Sequence, residues 1–181
     1  MKLNYVLQML ILFLGNSCYS YGKVENLSMS EQLEVYVYNT RIIKDTSDSL
    51  VGVDLDRNSI RDDVDKAIGY LSVSEVDKEF VSRYVKYATK ILEYNFKLDR
   101  LENKLVADEL YKEHIYIKKC YKESGVDGKE LYDSINALNV LIFNTETRIM
   151  AYLYYEKYLD IRQTYMGGVS YDCKNSNFYQ I

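Results

Sequence analysis

The sequence predicts an all-α protein, an irregular antiparallel helical bundle with one oxygen-rich loop and an irregular C-terminal tail. Three observations carry that prediction. Apolar residues recur at three- and four-residue steps through most of the chain after residue 62, the period of a helix with one buried face. Short polar stretches such as Ser124-Gly125-Val126-Asp127-Gly128 separate these runs, and they carry helix stop and start signals. The exception is the stretch from Asp54 to Asp65, which opens with Asp and Asn alternating with other residues rather than with a helical period.

The N-terminus reads as an export signal. Lys2, the apolar run Val6 to Leu14 and the stretch Gly15 to Ser20, with the small residues Ser17 and Ser20 at candidate cleavage points, reproduce the charged, apolar and cleavage regions of a signal peptide. Nine apolar-rich positions are too few for a bilayer, which needs about 20. Residues 1–20 are therefore expected to be removed, leaving 21–181 as one helical domain, periplasmic or secreted, with no transmembrane segment. Lipidation at Cys18 is the alternative, but Gly15 stands where a lipobox would carry Leu.

Leu33 to Tyr38 alternates like a strand but reads as a helix continuing from Ser30, since a lone strand would have no partner. Asp62 to Leu71 is a short helix, and Ser72-Val73-Ser74-Glu75 reads as the capping box of a long one. Val76, Phe80, Val81, Tyr84, Val85, Ala88, Ile91 and Leu92 share one face of that second helix, which should end near Lys97. A third, heavily charged helix runs from Leu98 or Asp99 to Glu123 and would bury Leu101, Leu105, Leu110, Ile115 and Ile117. A fourth, Lys129 to Phe143, turns Leu131, Ile135, Leu138, Leu141 and Ile142 inward. Thr145 caps a fifth that reaches about Tyr165 and buries Ile149, Tyr152, Leu153, Leu159 and Ile161. Long amphipathic helices with short connections favour antiparallel neighbours.

Within Asp54-Leu55-Asp56-Arg57-Asn58-Ser59-Ile60-Arg61-Asp62-Asp63-Val64-Asp65, side-chain oxygens fall at the first, third, fifth, ninth and twelfth positions. That is the spacing with which a curled loop surrounds calcium, a hard cation that takes six to eight oxygens, with a backbone carbonyl completing the set. An acidic lead-in to a helix, with Asp62 and Asp63 complementing the macrodipole, accounts for the last acids but not for the alternation of Asp54, Asp56 and Asn58. Arg57 and Arg61, at even positions, should point outward and relieve the repulsion among the acids.

The order of residues resembles the calcium loops of thrombospondin type 3 repeats and dockerins. That resemblance implies side-chain ligation by Asp54, Asp56, Asn58, Asp62 and Asp65, and a carbonyl ligand from Ile60. Ser59 stands where the family carries Gly; a non-Gly residue at positive φ costs about 1–2 kcal/mol, which would weaken the site. The phrase Asn58-Ser59-Ile60-Arg61-Asp62-Asp63-Val64 also resembles a loop of uncharacterised exported bacterial proteins. Those proteins share Phe143-Asn144-Thr145, the helix from Arg148 to Tyr152 and a late Cys, and no activity comes with the likeness.

Loss of the signal peptide leaves Cys120 and Cys173, and a disulfide between them suits an oxidising compartment; two free thiols are the alternative. The chain has 23 basic and 27 acidic residues, and removing Lys2 brings the balance to 22 against 27, about minus five. Charges of both signs are interspersed with no basic stripe, which argues against nucleic acid. Twenty Tyr residues read mostly as core and boundary, although Tyr also suits binding surfaces. His114 is the only His; it reads as a surface residue, and helical spacing puts it on a different face from Cys120. No metalloprotease, nucleophile-elbow or phosphate-loop motif is present, so no enzyme is expected. The sequence thus predicts an exported protein with structural calcium. The alternative is an envelope interaction protein that binds a protein partner and has no functional metal site.

Overall fold

Ser28 starts the first helix with a reciprocal cap: its hydroxyl accepts from the Glu31 backbone N–H at 3.3 Å, and the Glu31 carboxylate accepts from the Ser28 N–H at 2.8 Å. The computed structural model describes residues 26–39, 42–159 and Cys173. Among these it contains six helices and no strand: α1 Met29–Tyr38, α2 Asp62–Gly69, α3 Glu75–Glu93, α4 Asn103–Glu123, α5 Gly128–Ile142 and α6 Glu146–Glu156. The expected all-α bundle is what forms. The last helix ends at Glu156, short of the expected Tyr165, with Lys157 as its C-cap; the predicted signal peptide with Cys18, Ile161, Tyr165 and the tail before Cys173 lie outside the described residues. Among the described residues no helix is long and apolar enough to cross a membrane.

Helix α1 settles the strand-or-helix ambiguity at Leu33 to Tyr38. Met29, Leu33 and Tyr36 are buried at helical spacing, and the helix lies mainly along α5. Helix α3 is the centre of the bundle and touches α2, α4, α5 and α6. Its predicted face is buried from Phe80 to Leu92, with Val76 partly covered. Its capping box falls two residues later than the sequence suggests. Ser74 caps with Asp77, because the Ser72 backbone is engaged by the buried Gln32 amide, which accepts from Ser72 N at 2.8 Å and donates to its carbonyl at 3.2 Å.

Two helices turn differently from expectation. Leu101, just before α4, and Leu105 are exposed and Ile115 is only partly buried, while Asn103, Ala107, Cys120 and Tyr121 join Leu110 and Ile117 inside. The cause is Asn103, whose amide donates to the Leu98 carbonyl at 2.7 Å and accepts from the Tyr94 hydroxyl at 3.1 Å. That buried amide ties off the α3–α4 turn and delays the helix start. In α6, Ile149 and Leu153 are about half exposed, and Arg148 and Tyr155 are buried in their place. Helix α5 follows prediction, capped by Asp127, with Leu131, Ile135, Leu138, Leu141 and Ile142 buried. The disulfide between Cys120 and Cys173 is present, with both residues buried.

Candidate metal site

The loop between α1 and α2 gathers Asp54, Asp56 and Asp62, each offering a carboxylate oxygen, with all three oxygens within 4.8 Å of one another. The backbone produces this convergence. The Asp62 N–H donates to the Val53 carbonyl at 2.8 Å, which closes the neck of the loop, and the Leu55 N–H donates to Asp62 Oδ1 at 2.9 Å. At the tip, Asp54 accepts from Asn58 N at 3.2 Å and Ser59 N at 3.0 Å, and Asp56 accepts from Asn58 N at 3.2 Å. Side chains that bond their own backbone in this way stabilise tight turns. A carboxylate has about four acceptor positions, so these bonds leave lone pairs for a cation, and the all-oxygen donor set suits a hard one.

The other expected ligands are placed less directly. Asn58 Oδ1 accepts from Ile60 N at 2.7 Å, and its amide nitrogen donates to Asp56 Oδ2 at 3.0 Å. The Ile60 side chain is buried and anchors the loop in the core. Asp65 lies in the first turn of α2 and is not among the clustered carboxylates. Ser59 does adopt the left-handed backbone that its position requires, with φ of 68°, and Arg57 shares it at 59°. Each non-Gly residue there costs about 1–2 kcal/mol, against which the turn hydrogen bonds act.

Arg61 corrects an expectation. It does not point outward but is 4 % exposed, and its guanidinium donates to the Leu141 carbonyl at 2.9 Å and the Ile142 carbonyl at 3.2 Å, at the end of α5. It also pairs with Asp63 through Nε and through Nη2, the latter at 3.1 Å. Asp62 and Asp63, adjacent on the helix, therefore serve different neighbours: Asp62 faces the acidic loop and Asp63 faces Arg61. Asp63 Oδ2 also accepts from Asp45 N at 2.8 Å.

A second buried guanidinium, wholly missed in the sequence, lies behind the loop. Arg148 is 0 % exposed. It donates to the Asp45 carbonyl and Asn144 Oδ1, each at 2.6 Å, to the Ser49 carbonyl at 2.8 Å and to the Leu50 carbonyl at 3.0 Å, and it pairs with Asp45 Oδ1 at 3.3 Å. Burial and the like charge of Arg61 push the Arg148 pKa down, and Asp45 and Asp63 oppose that shift. Burial alone would raise the Asp45 carboxyl, but bonds from Ser47, Val53 and Arg148 together outweigh it and hold the group well below the usual carboxylate range. The signal that could have found this centre was the shared Asn144 and Arg148 phrase of the exported proteins.

His114 is also placed differently from expectation. It is partly buried on α4, edge-on to Tyr84 and Tyr87 with ring centroids 5.7 and 5.1 Å away, and stacked near Tyr111 at 6.2 Å. Burial, with help from Lys118, pushes its pKa down to about 4. It is an aromatic packing residue. The chain matches no family model, no curated protein and no solved structure.

Proposed function

We propose that this chain is an exported, calcium-binding helical protein in which calcium acts structurally at the loop that launches α2. The observation that supports it is the convergence of the Asp54, Asp56 and Asp62 oxygens within 4.8 Å. Calcium tolerates irregular oxygen cages, whereas magnesium demands near-ideal octahedral geometry and keeps its waters. By resemblance, Asn58, Ile60 and Asp65 complete the ligand set. Extracellular calcium modules work at about 10⁻⁴ to 10⁻³ M, so such a site stays filled in a calcium-rich compartment and is no switch.

A second reading, an envelope protein that binds a protein partner, is favoured by the outer face of α6. Ile149, Met150 and Leu153 are exposed there, beside a cavity of about 370 Å³ lined by Leu50, Tyr94, Phe96 and Tyr154 among others.

Thermal melts of the purified protein in chelator, in millimolar calcium and in magnesium test the first reading. Saturation at about 100 times Kd stabilises by about 2.7 kcal/mol, a midpoint shift of about 5 to 11 °C at this size. Calcium should produce it, magnesium should not, and Asp54→Ala and Asp56→Ala should melt like the calcium-free protein. Identical melts in all three buffers would reject calcium and move the interaction reading to first place.

A further inference from the structure

We infer that Arg61 and Arg148 are positioning residues that hold the acidic loop in its folded form before any ion arrives. The inference rests on the calcium reading only for its consequence on affinity.

The geometry closes on itself. Arg148, from α6, grips the carbonyls of Asp45, Ser49 and Leu50 and the Asp45 carboxylate. Asp45 in turn accepts from the Val53 N–H at 2.9 Å with its other oxygen and donates its own N–H to Asp63 at 2.8 Å. Asp63 holds Arg61, and Arg61 holds the end of α5. Val53 and Asp62 are thus both fastened to the bundle, and they are the two residues whose backbone bond forms the neck of the acidic loop. Asn144, from the α5–α6 connection, adds a bond from its amide to the Asp45 carbonyl at 3.0 Å.

Gly52 shows how tightly the parts fit. A Cβ placed there would lie 2.3 Å from Arg61 Cδ and 2.6 Å from Asp45 Oδ2, so the guanidinium stem and the carboxylate pass against bare backbone. Two buried cations, each satisfied by two or more carbonyls and a carboxylate, leave the segment from Asp45 to Asp63 little freedom. Breaking either one would strand a buried charge. An ion arriving at Asp54, Asp56 and Asp62 then meets ligands whose ordering cost has been met by folding, which raises affinity without new contacts. The same anchoring lets Ser59 hold its left-handed backbone without the glycine expected there.

Limited trypsinolysis in chelator tests this, with mass spectrometry following cleavage after Arg57 and, as an internal control, after Lys86 and Lys112 within α3 and α4. Wild type should be cut after Arg57 at nearly the same slow rate in chelator and in calcium. Arg148→Gln should be cut there about tenfold faster, a change specific to local opening, with the helical sites unchanged. Asp45→Asn, which keeps the shape and loses the charge, serves if Arg148→Gln fails to fold, and it should show the same pattern.

Rapid cleavage of wild type in chelator that calcium suppresses would overturn the inference and leave the calcium reading intact, since the ion would then order the loop. Variants cut no faster than wild type would overturn it as well. Calorimetric titration with calcium separates the two ideas. Binding to Arg148→Gln or Asp45→Asn about tenfold weaker than to wild type is the expected result, and equal affinity would overturn the positioning role. No binding by wild type would reject the calcium reading, while the cleavage pattern would still decide whether the arginines hold the loop.

Discussion

The Glu130 carboxylate of α5 receives both donors of Ser30 in α1, the backbone N–H and the hydroxyl, each at 2.7 Å, across 100 residues of sequence. The first turn of a helix has unsatisfied N–H groups and a positive dipole end, so a carboxylate from another helix both caps α1 and fixes how it lies on α5. Hydrogen bonds to a charged group contribute about 1.5–3 kcal/mol. Glu130→Ala should lower stability in urea unfolding by about that amount, and Glu130→Gln by less, because the amide oxygen still accepts one of the two bonds. Equal, negligible effects of both variants would show that Ser28 and Glu31 cap α1 without help.

Glycines of opposite kind give a paired test. Gly52 has φ of +74°, and a Cβ there would clash with Arg61 and Asp45. Gly69, the last residue of α2, has nothing within 4 Å of the corresponding position. Gly52→Ala should destabilise by about 2 kcal/mol or more, through left-handed strain and displacement of the Arg61 stem. Gly69→Ala should stabilise by up to about 0.5–1 kcal/mol, since alanine restricts the unfolded chain and suits a helix. Chemical denaturation of the two variants beside wild type reads both signs.

Where the helical period was unbroken, the fold was legible. The inward faces of α3 and α5 are built mainly of apolar residues at regular steps, and all but Val76 of the residues expected there are buried. Where a polar side chain enters the core, the pattern misleads. Asn103 closes a turn, and Arg148 rotates the buried face of α6 toward itself and Tyr155, leaving Ile149 and Leu153 outside. Hydropathy counts a guanidinium as a surface group, and nothing local says that carbonyls 98 to 103 positions earlier will satisfy it. The same limit hid Arg61, which was read with the exposed charges of its loop. Asp54, Asp56 and Asp62 were legible because the alternation that brings their oxygens together is a property of the loop itself.

The disulfide should resist reduction while the protein stays folded. Cys120 is 0 % and Cys173 3 % exposed, so a thiolate must wait for local or global opening to attack either sulfur. The bond closes a separation of 53 residues, for which the chain-entropy estimate is about 4 kcal/mol. Dithiothreitol under native conditions should leave the mass after alkylation unchanged over hours, whereas moderate urea should admit two alkyl groups together with loss of helical circular dichroism. Rapid native-state reduction with the helices retained would show that Cys173 is released without opening α4.

His114 and Asp45 divide the acid response into two windows. The folded His114 pKa lies at about 4, below its ordinary value of 6.5, because burial among Tyr84, Tyr87 and Tyr111 disfavours the imidazolium and Lys118 adds repulsion. Between those two values the unfolded chain binds more protons than the folded one, so this contribution is complete above pH 6.5 and is lost as pH falls to about 4. Asp45 is depressed below the ordinary carboxylate value of 3.8, so its contribution is complete above that value and is lost only at lower pH. His114→Gln should therefore flatten the stability profile between pH 6.5 and 4 while leaving the loss below pH 4, and Asp45→Asn should do the reverse. Denaturant midpoints at half-unit pH steps for the three proteins would resolve the windows. A His114→Gln profile parallel to wild type would mean that the tyrosine cage opens to water at little cost, and that carboxylates alone govern unfolding in acid.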